Sequence, residues 1–517
     1  MADIVLSTFN ARYSHTAFGL RYLMANLGDL RPRARMLEFD IKTPVHRAAN
    51  TILAERPRIV GLGVYIWNAL ESLELVRILR AEDPGLRIVL GGPEVSHEIE
   101  KQELCALADH IVTDEGDLVF PALCRDLLAG CPPAERVIRG GFVDVRKLVL
   151  PYSLYTDEDI RHRVVYVEAS RGCPFTCEFC LSSLDVPVRR FPLETLLPAF
   201  EDLLARGVRH FKFVDRTFNL SIKYSLELLA FFLDRYEPGL YLHFEMIPDR
   251  LPEDLRDILT CFPPGSLQFE VGIQTFNEEV AARIRRRQNY AKTEENLRWL
   301  RAHTGAHLHA DLIAGLPGES WDSFARGFDR LLALEPHEIQ VNILKRLRGT
   351  PIVRHDEEFA MLYNPAPPYD LLSNRDLTAE QVASLRRFGR FWDLFVNRGN
   401  FVETAPKIWR GQPSAFEAFH DFSEWLHTRW GRDHSIPLDE AAEALFDWLV
   451  RHGEEPASLA QAIWRDLCRA APRNRPRFLA PYLGDAPRPA ARGTVLNRGL
   501  IRQARHTAAP APAPVDQ

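Results

Sequence analysis

The 517-residue chain has no run of eighteen consecutive apolar residues, the length that a helix needs to cross a bilayer, so nothing in it reads as a membrane span. Its start, Met-Ala-Asp-Ile-Val-Leu-Ser, lacks a basic region followed by an apolar run, and no secretory signal is expected. Net charge is nearly absent: 64 Lys and Arg against 70 Asp and Glu leave −6, which disfavours a protein built around nucleic acid. Cysteine is scarce, eight in all, and Cys105, Cys124, Cys131, Cys261 and Cys468 are scattered without the spacing of a disulfide framework. That pattern fits a reducing cytoplasm, where free buried thiols are ordinary core residues. The remaining composition, 46% hydrophobic and 26% charged, is that of a globular protein with a sizeable core. Its length suits roughly two to four domains.

The other three cysteines stand within eight residues, in Arg171-Gly172-Cys173-Pro174-Phe175-Thr176-Cys177-Glu178-Phe179-Cys180. Thiolates at this CxxxCxxC spacing can face one metal centre, and thiolate is the ligand that iron–sulfur clusters and zinc select. Zinc sites usually show four ligands, often as paired CxxC, and no complementary Cys/His pair flanks this stretch. An iron–sulfur cluster with one coordination position left open is the favoured reading. Such a position is where a substrate or cofactor is activated.

Around this motif the pattern is strand then helix. In the first 135 residues, apolar runs at 3–10, 34–40, 59–66, 86–90 and 110–113 alternate with helical patterns at 16–30, 45–56, 69–83, 96–108 and 117–129. This alternation implies a parallel sheet covered on both faces, a flavodoxin-like doubly wound domain with ligand loops at the carboxyl ends of its strands. Those loops are Tyr65-Ile66-Trp67-Asn68, Gly91-Gly92-Pro93-Glu94 and Asp114-Glu115-Gly116-Asp117. Glycine at a strand end lets backbone approach a ligand closely, although Gly-Gly-Pro is equally a tight turn. Residues 136–163 read as a linker with one short strand pair.

From Val164 six strands are expected, at 164–169, 210–215, 240–246, 267–273, 307–314 and 338–345, with helices at 193–206, 221–236, 252–262, 293–304 and 320–335. Six such units point to a partial (β/α)6 TIM-like barrel over 164–352, with its site at the C-terminal strand ends. The cysteine motif then follows the first strand at the barrel mouth. The basic run Arg283–Arg287 reads as a solvated helix face. Residues 353–485 form a mostly helical extension, with helices at 378–399, 414–430, 438–452 and 458–470. Before them Pro365-Ala366-Pro367-Pro368-Tyr369 reads as a stiff extended stretch. Phe391, Trp392, Phe395, Trp409, Phe416, Phe419, Phe422, Trp425 and Trp430 recur at helical steps, as core residues do. The tail 486–517, with its Ala-Pro stretch at 508–514, reads as disordered.

The central segment resembles the radical S-adenosylmethionine (SAM) superfamily, and Cys173, Cys177 and Cys180 match its cluster ligands one for one. The resemblance implies a [4Fe-4S] cluster whose open iron binds SAM, reductive cleavage to a 5′-deoxyadenosyl radical, and an external reductant such as flavodoxin or ferredoxin. It also implies SAM contacts at Phe179, Asp215, Glu245, Gln274, Ile313 and Gly315, and Gly349-Thr350-Pro351 resembles a recurrent ending of cobalamin-dependent members. Residues 2–135 resemble the cobalamin-binding domain that precedes many such barrels. That implies cobalamin as a cofactor, with contacts from Tyr65, Trp67, Gly91, Gly92, Pro93, Glu115 and Gly116. The family's Asp-x-His-x-x-Gly motif is altered here to Asp40-Ile41-Lys42-Thr43-Pro44-Val45, so Lys42 stands where a histidine would ligate cobalt. His15, near the end of the first strand, could be offered as a ligand instead, although a lone histidine is more often a surface or core residue.

The helical extension resembles one appended to a functionally uncharacterised subgroup of these proteins. The expected activity is methylation or another C–H functionalisation of a small-molecule or peptide substrate. The alternatives are a radical SAM enzyme whose first domain only recognises its substrate, and a non-catalytic iron–sulfur redox protein.

Overall fold

The computed structural model describes residues 1–469, 473–484 and 501–507. Two compact units are distinguished. The first comprises Met1–Thr217, Lys345–Arg354 and Tyr363–Asp370, and the second Phe218–Leu344, His355–Leu362 and Leu371–Gln517.

The first unit opens on a six-stranded parallel sheet of β1 (Ile4–Asn10), β2 (Ala34–Asp40), β3 (Ile59–Gly63), β4 (Arg87–Gly91), β5 (His110–Thr113) and β6 (Val137–Arg139). Its strand order is β2-β1-β3-β4-β5-β6, the flavodoxin-like order with one strand added. Every residue of β1 is buried. Val5 and Phe9 enter one hydrophobic core while Ile4 and Leu6 enter another, the period-2 alternation of a sheet covered on both faces. Helix Val45–Ala54 covers one face with Ala48, Ala49 and Ile52, and helix Val119–Leu128 covers the other with Phe120, Leu123 and Leu127.

Three local expectations change here. Strand β3 ends at Gly63 rather than 66, and the Val64 N–H donates to Gly91 O at 2.8 Å. The helix expected at 96–108 contracts to Glu103–Leu107, because the Gln102 amide donates to the carbonyls of Glu94 and His97 and holds the preceding chain in short turns. Residues 137–139 do not form a strand pair of their own but join the first sheet beside β5, with Ile111 opposite Val137.

The same unit carries β7 (Val165–Val167), the short antiparallel pair β8 (Ser170–Arg171) and β9 (Arg189–Arg190), and β10 (His210–Phe213), which lies parallel to β7. In the second unit β11 (Tyr241–Met246), β12 (Leu267–Gln274), β13 (His307–Ala314) and β14 (Glu338–Ile343) form a parallel ladder in chain order. Helices Leu193–Ala205, Ile222–Asp234, Glu253–Thr260, Tyr290–His303 and Trp321–Leu332 alternate with these strands along the chain, the strand–helix order of a partial barrel. An additional helix, Glu278–Arg283, is N-capped by Asn277.

The extension is helical at Ala379–Trp392, Ala415–Trp430, Leu438–Arg451 and Pro456–Leu467. Thr378 and Gln381 form a reciprocal capping box that starts the first of these. Phe391, Trp392, Phe395, Phe416, Phe419 and Phe422 are buried, so the aromatic periodicity is core packing. The proline stretch turns instead of extending, and Tyr369 N–H donates to Ala366 O at 3.0 Å. Of the tail, Ile501–Thr507 is helical, while the 508–514 stretch lies outside the described residues.

Candidate functional site

The cysteine loop is closed at its base by sheet pairing, with Ser170 opposite Arg190 and Arg171 opposite Arg189. Gly172 follows at φ +90°, where a Cβ would stand 2.8 Å from the carbonyl oxygens of both Asp185 and Pro187. Only glycine fits that crossing. The Cys173 N–H donates to Asp185 O at 2.9 Å, and Cys180 N–H to Cys177 O at 3.2 Å. Cys173 and Cys177 are buried and Cys180 is half-buried. Burial pushes the Cys173 thiol above its ordinary pKa, and the neighbouring Cys180 and Cys177 add to that rise. Cys177 and Cys180 therefore both act on the Cys173 thiol. Among the described residues no three side chains converge on a single ion. A cubane spreads its thiolate ligands over separate irons, so that observation bears on mononuclear sites only.

Asp215, just beyond β10, anchors the start of the loop. Its carboxylate accepts the Ala169 N–H at 2.8 Å and the Ser170 hydroxyl at 2.5 Å, and burial pushes its pKa up to about 7. The sequence marked Asp215 for SAM. The structure gives both of its oxygens partners within the chain. Phe179 is half-buried in the same loop.

A cleft of about 380 Å³ opens where the carboxyl ends of the first sheet meet this loop. One wall is glycine-rich, with Gly63, Gly91, Gly92 and Gly116 beside Tyr65 and Glu115, and the other is built from Glu168, Ser170, Arg171, Gly172, Ser182 and Asp185. Trp67 and Pro93 are not on that wall. The Trp67 ring stacks on Tyr65, with centroids 4.4 Å apart and planes 5° apart, and its indole N–H donates to Phe9 O. Lys42 is exposed and its loop does not reach the cleft. His15 is half-buried with its pKa lowered by burial, and it too lies outside the cleft lining.

An ionic network that sequence reasoning passed over crosses the cleft. Arg171 donates to Asp117 at 2.9 Å and to Glu168 at 3.0 Å, and its guanidinium lies 4.6 Å from the Tyr22 ring. Arg189 reaches Glu115 at 2.8 Å and Asp185 at 2.5 Å. Burial alone would lower the Arg171 pKa, but Glu168 and Asp117 reverse this and hold it above its ordinary value. The sequence signal was faint: Arg171 directly precedes the motif, and its partner follows a strand.

The remaining residues marked for SAM lie in the second unit, on adjacent strands. Glu245 is on β11, opposite Glu270 of β12. Gln274 ends β12 at φ +70° after a register shift between Gly272 and Gln274, a bulge of the kind that re-aims a side chain. Ile313 is near the end of β13, and Gly315 follows at φ +89° with Leu371 Cδ2 where a Cβ would stand. The basic run departs from expectation. Arg283 donates to Pro317 O, in the turn after β13, at 2.8 Å, and Arg286 to Gly272 O in β12, so two of its arginines are half-buried and hold main-chain carbonyls.

Sequence and structure comparisons agree with this layout. A radical SAM superfamily model matches residues 167–331, and a B12-binding domain model matches residues 5–124. A radical SAM domain thus follows a B12-binding domain in this chain. A family of unknown function, DUF4080, matches the extension over residues 357–485. Among the relatives, 2-(S-pantetheinyl)-carbapenam-3-carboxylate methyltransferase of Streptantibioticus cattleyicolor is 25% identical over 403 residues, covering 69% of this chain and 57% of that one. The cobalamin-dependent radical SAM methyltransferase TokK of Streptomyces tokunonensis is 24% identical over 456 residues, covering 79% and 63%. The chain thus spans less than two thirds of the length of these relatives.

Two solved structures share the fold. OxsB with aqua-cobalamin and SAM bound aligns at TM-score 0.61 and 14% identity, over 90% of this chain and 78% of that one. TsrM from Kitasatospora setae with cobalamin and a [4Fe-4S] cluster bound aligns at 0.56 and 19%, over 71% and 76%. The matched families carry the cofactor set of cluster, SAM and cobalamin. The residues present fit it, with three thiols on one loop and a glycine-walled cleft beside them.

Proposed function

We propose that this chain is a cobalamin-type radical SAM enzyme that methylates, or otherwise functionalises, an unreactive carbon of a small molecule or peptide. Cys173, Cys177 and Cys180 would hold the cluster. Phe179, Asp215, Glu245, Gln274, Ile313 and Gly315 would serve SAM, and Tyr65, Gly91, Gly92, Glu115 and Gly116 the corrin. Trp67 and Pro93, also marked for the corrin in the sequence, do not line the cleft. When bound, the cluster and SAM supply a 5′-deoxyadenosyl radical, and cobalamin supplies a methyl group. The chain's own part is to bind and orient. Gly91, Gly92 and Gly116 let a flat macrocycle approach backbone, Asp215 holds the root of the cysteine loop, and the Arg171 and Arg189 pairs keep the two walls together.

The observation that carries this reading is the single cleft lined both by strand-end glycines of the B12-type domain and by Arg171, Gly172 and Ser182 of the cysteine loop. A reductant such as flavodoxin or ferredoxin and a cytoplasmic setting complete the proposal. No helix among the described residues is long and apolar enough to cross a membrane.

The test is anaerobic reconstitution with iron, sulfide and cobalamin, followed by SAM and a reductant. Methionine and 5′-deoxyadenosine should form, corrin absorbance should stay with the protein, and Cys177→Ala should abolish cleavage. Cleavage without retained corrin would leave a radical SAM enzyme whose first domain recognises substrate. Cleavage retained in Cys177→Ala would refute the ligand assignment. Label from methyl-labelled SAM, followed into a cell extract, identifies the acceptor.

A further inference from the structure

The segment Lys345–Arg354 follows β14 and packs with the first unit, against two elements distant in sequence. Its first half is tied to the B12-type domain. Arg348 Nε donates to Glu94 Oε1 at 2.9 Å, and Arg346 and Arg348 each reach Glu98 at 3.3 Å. Tyr369 donates to the same Glu94 oxygen at 2.5 Å and accepts from Arg348 at 2.9 Å. Gly349, at φ +82°, lies against the His97 ring so closely that no Cβ fits.

The second half is tied to the cysteine loop. The Ile352 N–H donates to Glu178 O at 3.0 Å, and the Arg354 guanidinium grips the Glu178 carboxylate through Nε to Oε2 at 2.9 Å and through Nη2 to Oε1. Glu178 is fully buried and stands between Cys177 and Cys180.

Glu178 places a buried carboxylate in the same loop as the three thiols. Desolvating a carboxylate is costly, and the bidentate Arg354 guanidinium offsets part of that cost. Net charge close to an iron–sulfur cluster is one of the determinants of its reduction potential. An uncompensated carboxylate favours the oxidised cluster, and its arginine partner offsets that bias.

We propose that Arg354 is a positioning residue of the cysteine loop: paired with Glu178 and pinned through Arg346, Arg348 and Gly349, it fixes the loop against the B12-type domain and neutralises the charge beside the cluster. This inference rests on the reading of Cys173, Cys177 and Cys180 as cluster ligands.

The experiment uses full-length chain, anaerobically reconstituted, as wild type, Arg354→Gln, Arg354→Lys, Glu178→Gln and the Glu178→Gln/Arg354→Gln double variant. It reads iron and sulfide content, thermal midpoint, and the cluster midpoint potential by EPR-monitored titration without SAM. Arg354→Gln should lower the midpoint potential, or lose iron beyond what its lowered thermal midpoint accounts for, and Arg354→Lys should fall between it and wild type. The double variant should return toward wild type, because it also removes the carboxylate whose pairing with Arg354 was broken. If Arg354→Gln fails to fold, Arg354→Lys carries the comparison. Wild-type iron content and potential in the Arg354 variant that folds, or a double variant no nearer to wild type than Arg354→Gln, overturns the inference. A wild-type chain that takes up no iron overturns the cluster reading, and this inference with it.

Discussion

Arg171, two residues before the first cysteine, is joined to Asp117, just past β5, by Nη1–Oδ2 and Nη2–Oδ1 contacts of 2.9 and 3.2 Å. Both side chains are largely buried, and Glu168 shares the same guanidinium. Removing one partner of such a set strands the others without solvation, at a cost of roughly 3–5 kcal/mol. Arg171→Ala should therefore destabilise the chain by that order in urea titrations of the apo protein. Arg171→Lys should recover only part of the loss, because one ammonium cannot reproduce the fork that serves two carboxylates. A midpoint for Arg171→Ala equal to that of wild type would show that the network contributes nothing to stability.

Gly92 sits at φ +104° with Val64 O where a Cβ would stand. Gly92→Ala combines backbone strain with a clash against main chain that cannot rotate away, so a loss of about 1–3 kcal/mol is expected. The β4 loop would shift, and it forms part of the glycine wall of the cleft. Titration with cobalamin should show weakened binding, and the cluster, carried on a different loop, should load normally. Unchanged corrin binding would separate the glycine wall from the cofactor.

Asp215 offers a pH signature. Its carboxyl, ordinarily near 3.8, is pushed up to about 7 by burial, with Ser170 and Ala169 partly opposing the rise. Between those values the folded chain holds a proton there that the unfolded chain has released. The resulting contribution to stability is complete below about pH 4, falls as pH rises, and is gone above about pH 7. Asp215→Asn removes the titration while keeping an oxygen for the Ala169 N–H. The stability difference, wild type minus variant, should fall by at most a few kcal/mol between pH 4 and 7 and then level off. A difference that is flat or rising over that window contradicts the burial argument.

How much of this was legible in the sequence depends on how many residues carried each signal. Strands β1 and β2 coincide with the apolar runs at 3–10 and 34–40 because seven consecutive residues repeat one pattern. The three-residue β6 has no such repetition, and its place beside β5 is a tertiary fact. Cys173, Cys177 and Cys180 were visible because one loop carries all three. The Arg171–Asp117 pair, 54 residues apart, was not, nor was Arg354–Glu178 at a separation of 176. Arg283 and Arg286 look like a solvated face in sequence, since nothing local reveals that the carbonyls of Pro317 and Gly272 lie within their reach.

The helical extension is where sequence could most easily mistake a core for a cofactor box, and Trp392 decides between them. Its ring is fully buried, edge-on to Phe328 and Phe419 at 4.8 Å each, and 5.3 Å from Trp409. Its indole N–H has no hydrogen-bond partner among the described residues, as befits a side chain chosen for volume. Trp392→Ala should cost about 3–5 kcal/mol through the cavity it leaves. Trp392→Phe should cost distinctly less, because it refills most of the space and removes the unpaired donor. Urea denaturation of the two variants gives the comparison, and iron content after reconstitution gives the control. A core role predicts lost stability with normal cluster loading in whatever fraction remains folded. A cofactor role predicts the reverse, normal stability with altered loading or altered corrin absorbance, and that outcome would move these aromatic residues from the scaffold to the site.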